Sequence, residues 1–565
     1  MIPSSRRSIA SLVAGILVVM LLGGLVFTSD PADAQVSPDI VISEIHYHPQ
    51  AVGTTHPDYD DREDSEFIEI LNAGSSNANL SGWCLELAIS YCFGANTSLG
   101  AGSTLVVAED AAVFQAVHGF TPTGVYTGRL SNSGERVQLI STTGAIEVEV
   151  AWETSGLWPV TPDGGGPSLE LVSTAGDLGS PANWAASSAV DGTPGSAPTL
   201  ISAQPPLVTS HTAAELVAAG QSVPVTATAV NATAINLVYR VNWGSSQSIA
   251  MTPAGAGWQA SLPTLSTGGF IEYRFEASGP GGVALSPRID DTVTWWAVGV
   301  SSPQPHNVPV LDLFFSRQNW QNIDDLTCPC TGAVAYEGRI WTNVASRRAG
   351  FTSLNQPKAH LRLDFPAGHP FEASFLDGPT DELTLDAGFP NFDLVREQLS
   401  WQLVEEVGFP AIRNSHVRVH QVGALQGLYL LREEQDGDWR ARNDLDRGAF
   451  YKVEAWTPDT FGFAGLWTKK EGLDEPDTDI RALATCTSQT GTALRDCLLD
   501  TTDVPQIINE LAAMVAIWQT DQREFNFFVY RDNTQNGLWR VLPDDLDRTW
   551  GHHCLLYTSP SPRDS

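Results

Sequence analysis

The sequence predicts a multidomain protein: two β-sandwich modules in succession, then a domain of the α+β class. Three observations predict it. The chain has 565 residues, the length of three or four ordinary domains rather than of one core. From Asp39 to about residue 298 the apolar residues come in short alternating runs broken by turn residues, the mark of many short strands. From Val308 onward longer helical periods appear among the strands. Composition agrees: 42% hydrophobic and 17% charged residues, with 49 Gly, 35 Pro and 17 Trp, fit turn-rich globular structure and exclude a disordered chain or a coiled coil. With 65 acidic against 31 basic residues the net charge is −34, which repels phosphate backbones and anionic lipid, so nucleic acid is not an expected partner.

Residues 1–34 place Arg6 and Arg7 before an apolar stretch from Ile9 to Phe27 and end in Ala32-Asp33-Ala34. That is the layout of a signal peptide, and it predicts an exported protein, extracellular or held at the cell surface or in the periplasm. The apolar run is near the length that spans a bilayer, so an uncleaved N-terminal anchor is the competing reading, and no other membrane contact is expected. Seven cysteines stand at 84, 92, 328, 330, 486, 497 and 554. Spacing pairs Cys84 with Cys92 and Cys486 with Cys497, each closing a short loop in an oxidising compartment. Cys328 and Cys330 flank one Pro and are not expected to bridge each other. Cys554 opens an aperiodic stretch that resembles translated sequencing-adapter sequence, so 555–565 is expected to be a non-native tail with the native C-terminus missing.

The first module, 38–198, carries the runs Ile40-Val41-Ile42, Phe67-Ile68-Glu69-Ile70-Leu71, Thr104-Leu105-Val106-Val107 and Arg136-Val137-Gln138-Leu139-Ile140, separated by turns such as Asn72-Ala73-Gly74 and Gly164-Gly165-Gly166. Glu44, His46 and His48 alternate along its first strand. That spacing suits zinc, although a plain structural strand explains it equally well. Asp58, Asp60, Asp61, Glu63 and Asp64 form an acidic loop without the spaced order of a Ca²⁺ loop. Ile42-Ser43-Glu44-Ile45, Leu80-Ser81-Gly82-Trp83, Leu130 to Glu135, Trp158-Pro159, Ser168 to Leu171 and Gly192-Thr193-Pro194-Gly195 together resemble a lamin-tail domain, an immunoglobulin-like module. A Ser/Ala/Pro-rich connector leads to the second module, 207–298, in which Ile271, Tyr273 and Phe275 share one strand face. Its size suits an immunoglobulin- or fibronectin-like sandwich, and no chemistry is expected there.

In the third domain, 308–554, Val504, Ile507, Ile508, Leu511, Met514, Val515 and Trp518 draw an apolar stripe along a helix that starts near Pro505, ends at Thr520 and is expected to pack that stripe on a core. Phe527 to Tyr530 and Leu538 to Leu542, joined through Asn533 to Gly537, read as a hairpin. Asp521 follows the helix, Asn526 lies five positions on, and the hairpin returns the cluster Asp544-Asp545-Leu546-Asp547 to the same end. Such a set suits phosphoryl transfer, with one carboxylate for the nucleophile's proton and an amide and second carboxylate for Mg²⁺. Helix, Asp-x4-Asn, hairpin and Asp is the order protein kinases use. A turn and a solvated acidic corner would give the same spacing. All four lysines, Lys358, Lys452, Lys469 and Lys470, fall in this domain, and Lys358 with His360 and Arg362 alternates against Leu361 and Leu363 on an expected strand.

Val310 to Phe314, Tyr336-Glu337-Gly338, Lys358 before Leu361-Arg362-Leu363, Leu394 to Leu399, Gly427 to Leu431, Tyr451-Lys452, Asp521 with Asn526, and Asp545-Leu546-Asp547 with Gly551 resemble the spore-coat CotH kinase family, atypical protein kinases acting on Ser or Thr. The resemblance implies a protein-kinase-like fold, ATP with Mg²⁺ or Mn²⁺ as cofactors, and a protein substrate or cell-envelope or matrix component as partner. It makes Asp521 the catalytic carboxylate, Asn526 and Asp545 metal ligands, with Asp547 beside them, and Lys358 a phosphate contact with Lys452 sharing that role. Glu397, on an expected helix, would orient Lys358, or is an ordinary solvated helix residue. Two positions depart from the family. Arg347-Arg348-Ala349-Gly350-Phe351 replaces Arg-x-Arg-Gly-Asn, and Asp544 stands where Trp is usual. The reading from another class is a non-catalytic surface or adhesion protein that uses the same domain as scaffold.

Overall fold

The computed structural model describes residues 39–50, 63–265, 269–301, 307–323, 328, 330–350, 358–388, 395–445, 448–453, 467–471, 477–519, 526–532 and 536–551. It is a β-rich multidomain structure. Among the described residues no helix is long and apolar enough to cross a membrane.

The first module is a pair of sheets. One runs Trp184–Ala186, Leu169–Leu171, Ile40–His46, Phe67–Asn72, Thr104–Ala108 and Gly124–Val125 in spatial order, the other Ile146–Ala151, Arg136–Ile140, Cys84–Leu87 and Tyr91–Cys92. Alternating residues such as Ile45, Leu85, Val137, Leu139 and Leu169 fill the space between them. The strand Ile40–His46 is buried on both faces, so its polar side chains must find partners inside. Glu44 accepts from the Ser168 hydroxyl (2.5 Å) and from the Thr193 amide (2.6 Å), while Glu69 accepts from Ser43 (2.8 Å) and from the Gly195 amide (2.6 Å). The two carboxylates thus clamp the Gly192 to Gly195 turn. Gly192 has φ +81°, and a Cβ there would stand 2.6 Å from Glu44 Oε1. His46 Nε2 lies 3.2 Å from the Gly166 carbonyl, and His48 Nδ1 pairs with Asp163 at 2.5 Å. The three candidate zinc ligands are therefore engaged separately and form no three-ligand group. Of the acidic loop, Asp58, Asp60 and Asp61 lie outside the described residues, and Asp64 pairs with Arg129.

Burial, opposed by the Ser168 and Thr193 bonds and aided by the Glu69 and Glu170 charges, raises the Glu44 carboxyl to about 7. A carboxyl raised on folding binds its proton more tightly in the native state, so its contribution is present below about pH 4.5 and is lost as pH rises through about 7. Hydrogen exchange of the Ile40–His46 strand should show less protection at pH 8 than at pH 5. Glu44→Gln should flatten that difference by up to about 3 kcal/mol, and an unchanged pH dependence would exclude Glu44 as its source.

The second module also has two sheets. Leu207–Thr212, Val223–Val230, Gly257–Leu262 and Thr252–Ala254 form one, and the other is centred on Gly269–Gly279 between Ala234–Val241 and Trp296–Ser301. Ile271, Tyr273 and Phe275 face its core as their alternation requires. Arg288 joins the two modules. Its guanidinium pairs with Asp290 (2.7 Å) and donates to the carbonyls of Pro181 (3.1 Å) and Trp184, while Asp290 accepts from the Ala186 amide at 3.1 Å.

The third domain opens with a closed barrel of Val310–Phe315, Thr331–Tyr336, Arg339–Ala349, His360–Asp364, Glu382–Asp386, Ala424–Glu433 and Asn414–Gln421, in that spatial order. Leu361, Leu363, Leu383, Leu385, Val417, Val419 and Leu431 fill it. A four-stranded antiparallel sheet follows, ordered Trp467–Glu471, Gly448–Val453, Phe527–Asp532 and Trp539–Pro543. The expected hairpin is its last two strands, with Tyr530 opposite Arg540. Asn533 to Gln535 lie outside the described residues.

Disulfides join Cys84 to Cys92 and Cys486 to Cys497 as spacing predicts. The expectation for Cys328 and Cys330 fails: they are bridged, because their Cα atoms stand 5.2 Å apart, within reach of a disulfide. The apolar-stripe reading of the late helix also needs correction. The helix runs Val504–Ala516 and buries Glu510, Ala513 and Met514, with Ile517 after it, while Ile508, Leu511, Val515 and Trp518 are exposed. Gln506 is the physical reason. Its amide donates to the Val541 carbonyl (2.6 Å) and accepts from the Val541 amide (3.0 Å), and the Asp503 amide donates to the Trp539 carbonyl (2.9 Å). These bonds satisfy the free edge of the hairpin and fix the rotation of the helix.

Candidate active site

Three parts of the third domain converge here. The first is the end of the Val504–Ala516 helix and the two mouths of the hairpin. Phe527 pairs with Pro543, and the Asp544 amide donates to the Asn526 carbonyl at 3.2 Å. The Gln519 side chain donates to the Asp545 carbonyl at 2.9 Å, and the Trp550 amide to the Ile517 carbonyl at 2.7 Å. Asn526 and Asp545 thus occupy neighbouring positions beside the helix end. Both have left-handed backbone, φ 62° and 48°, a conformation Asn and Asp tolerate better than other side chains. Asp521 lies outside the described residues.

The second part is the helix Arg396–Glu406, laid against the segment after the hairpin. Ser400 bonds Thr549 (2.8 Å) and accepts from the Trp550 indole (3.0 Å). This packing turns Glu397 inward, toward the charges of Asp545 and Asp547. Its ion-pair partner is Arg432, whose Nε lies 3.7 Å away, rather than Lys358. Burial, with the Asp386, Asp545 and Asp547 charges and against Arg432, pushes the Glu397 carboxyl well above its ordinary value.

The third part is the barrel wall. Lys358 precedes the strand His360–Asp364 instead of lying on it. Its ammonium donates to the Ala387 carbonyl (2.8 Å) and to that of Leu428, and sits 4.0 Å from the Tyr429 ring centre. Gly427, at φ +139°, leaves room for it, since a Cβ there would meet Lys358 Cε at 3.2 Å. Half-burial lowers the Lys358 pKa against the pull of Asp386. Asp386 ends the strand Glu382–Asp386 and pairs with His360 at 3.2 Å. Burial pushes its carboxyl up, but His360 and Arg432 outweigh that and hold it below the ordinary range.

Lys452, on the strand Gly448–Val453, meets Asp544 at 2.9 Å, which raises its pKa against burial and keeps it charged. Asp545 is raised to about 6 by burial and by Asp544 and Asp386, against Arg432 and Lys452. Asp386, Glu397, Glu434, Asp544, Asp545 and Asp547 therefore share one region with Lys358, Arg432 and Lys452. Clustered hard oxygen donors suit Mg²⁺ or Mn²⁺. The tightest three-carboxylate group among the described residues is elsewhere: Asp381, Asp436 and Asp438, with oxygens within 4.8 Å. There Asp436 caps the helix Gly437–Arg442 through the Trp439 amide at 2.9 Å.

Sequence reasoning missed Asp386 and Arg432. Their signal was faint: Asp386 closes the short run Glu-Leu-Thr-Leu-Asp, and Arg432 follows the buried run Tyr429-Leu430-Leu431.

Family models match residues 33–154 as a lamin tail domain and 346–561 as a CotH kinase protein. The chain carries a lamin-tail domain and a CotH-family domain. The sheet that begins in the lamin-tail match is completed beyond it by Leu169–Leu171 and Trp184–Ala186. A third model, carbohydrate binding module family 56, matches 215–285, inside the module to which the sequence reading gave no chemistry. The inner spore coat protein H of Bacillus subtilis (strain 168) is 26% identical, over 43% of this chain and 70% of its own. Among solved structures, a Br derivative of BhCBM56 is 21% identical over 16% of this chain and 90% of its own, with a TM-score of 0.13. A cycloalternan-degrading enzyme from Trueperella pyogenes is 16% identical over 30% and 24%, with a TM-score of 0.14. At those TM-scores the likeness carries no argument about this chain.

Proposed function

We propose that the CotH-family domain is a protein kinase that transfers the ATP γ-phosphate to Ser or Thr of an envelope or extracellular protein, and that the chain works outside the cytoplasm. The observation that carries this reading is the clustering of carboxyl groups where Asn526, Asp545 and Asp547 meet Glu397, Arg432 and Lys452. A scaffold has no need to concentrate carboxylates that repel one another at one half-buried spot.

In this reading Asn526, Asp545 and Asp547 would hold Mg²⁺ or Mn²⁺, which would supply electrostatic stabilisation of the nucleotide phosphates. Lys452, charged and 39% exposed beside Asp544, reaches toward the phosphates. Lys358 holds the carbonyls of Ala387 and Leu428 in place on the barrel side and offers its remaining donor capacity to the same anion. Arg432 and Glu397 fix the wall between them. Asp521 takes the proton of the attacking hydroxyl.

Incubating the full chain with labelled ATP, Mg²⁺ or Mn²⁺ and candidate substrates should give labelling that Asp521→Ala abolishes. Equal labelling by both proteins would reject the assignment. No labelling together with no metal-dependent nucleotide binding would favour the scaffold reading. The family 56 match supports a further element: the second module holds the kinase domain at a polysaccharide, close to its substrate.

A further inference from the structure

The second module and the barrel are joined by an apolar contact, Phe270 and Ala297 against Phe314, Ala333 and Ala335, with Phe270 and Phe314 stacked at 5.3 Å. A cleft opens on either side of it. The smaller, about 280 Å³, contains Trp243 and Trp295, but the Trp295 ring already has the guanidinium groups of Arg240 and Arg274 each 4.7 Å from its centre. The larger, about 530 Å³, is walled by His211, Tyr273 and Trp296 of the module and by Trp341, His369 and Glu372 of the barrel.

We propose that the larger cleft is a saccharide-binding site built jointly by the second module and the barrel, and that it takes a short run of neutral sugars from a polysaccharide. Its ligand class rests on the polysaccharide reading above. Its location rests on the cleft itself, since the family 56 match reaches only two of the wall residues that matter, Glu215 and Tyr273.

The volume falls within the range of about 300–1,000 Å³ typical of small-ligand clefts. Its aromatic surface is partly open. Trp296 is half-buried, with the His211 ring centre 4.8 Å and the His369 ring centre 6.1 Å from its own. An indole in that setting suits the C–H face of a sugar ring. The charges disfavour an anion. Burial lowers His211 to about 4, so it is neutral at pH 7. His369 is bonded to Asp291 at 2.7 Å, and Arg339 is balanced by Glu372 at 2.5 Å. Hydroxyl groups match what is left: Glu372 accepts from them and the Arg339 guanidinium donates to them in one plane. The walls are also fixed across the domain boundary. The Ile340 amide donates to Glu215 (2.6 Å) and the Thr342 hydroxyl to the Trp295 carbonyl (2.7 Å). Binding in a preformed cleft avoids the cost of ordering it.

The test uses the full chain and a panel of laminarihexaose, cellohexaose, xylohexaose and chitohexaose, read by calorimetry and tryptophan fluorescence. At least one member should bind and perturb the fluorescence. Trp296→Ala on the module side and Glu372→Ala on the barrel side should each weaken it by about tenfold or more. Trp243→Ala, in the opposite cleft, should change it by less than about twofold. Should Trp296→Ala lose its thermal transition, Arg339→Ala and Glu372→Ala decide, since both side chains are half exposed. Binding that ignores Glu372→Ala and Arg339→Ala, or that falls with Trp243→Ala, overturns the joint site and leaves the polysaccharide reading standing. No binding to any panel member or to the matching insoluble polysaccharides overturns both.

Discussion

Arg432→Met should destabilise the CotH-family domain by about 3–5 kcal/mol, because it removes the cation from a buried group of carboxylates while leaving the carboxylates in place. Arg432 Nε lies 3.7 Å from Glu397 and Nη2 3.8 Å from Glu434. Burial alone would lower its pKa, yet Glu434, Glu397, Asp386 and Asp545 raise it, so the guanidinium stays charged and the four carboxyl groups share it. Without it, Glu397 keeps every influence that raises its carboxyl and loses the one that lowers it. A raised carboxyl contributes stability at low pH that is lost as pH rises through the folded pKa. The variant should therefore regain stability between pH 8 and pH 5 more steeply than the parent. Hydrogen exchange in Arg396–Glu406 and Ala424–Glu433 reads this without interference from the two sandwiches. Adding Glu397→Leu should restore part of the loss, since an apolar pair of similar volume replaces an orphaned charge. Unchanged protection in Arg432→Met at pH 8 would mean that the guanidinium is not what holds the carboxylates.

Local features were legible in the sequence. Short apolar runs bounded by turn residues placed the strands at Ile40, Phe67, Thr104 and Arg136, and the Asn-rich turn placed the final hairpin, because both signals sit within a few neighbouring residues. The same hairpin brings Asn526 and Asp545 together by chain reversal alone. Asp386 and Arg432 were not legible, since their meaning depends on strands that become neighbours only when the barrel closes, Leu385 opposite Leu431. The late helix shows a second limit. Its apolar period was real, but Gln506, a residue no hydropathy pattern marks, sets which face is buried. The cleft between the second module and the barrel shows a third. His211 and Glu372 lie in different domains, so no reading of either domain by itself would join them.

The second large effect concerns Asp545→Asn, which should lower the proposed phosphoryl transfer by about 100-fold or more while leaving the domain more stable than the parent. The two outcomes share one cause. Burial and the neighbouring Asp544 and Asp386 raise the Asp545 carboxyl to about 6, against Arg432 and Lys452, so at pH 7.5 the fold holds an anion it would rather protonate. A raised folded pKa means that this strain is absent below about pH 4 and complete above about pH 6. An amide of the same shape removes it. The carboxyl is half-buried rather than sealed, so the gain is put at about 1 kcal/mol, present at pH 7.5 and absent at pH 4. Backbone strain does not oppose the exchange, because residue 545 has φ 48°, which Asn adopts as readily as Asp. The same amide has one acceptor oxygen and no charge to offer a divalent ion. Activity and stability measured on one preparation therefore separate the possibilities. A fall in both would make Asp545 a structural residue. Undiminished transfer would remove it from the proposed metal site and, with it, the account of why so many carboxylates gather at the mouth of this hairpin.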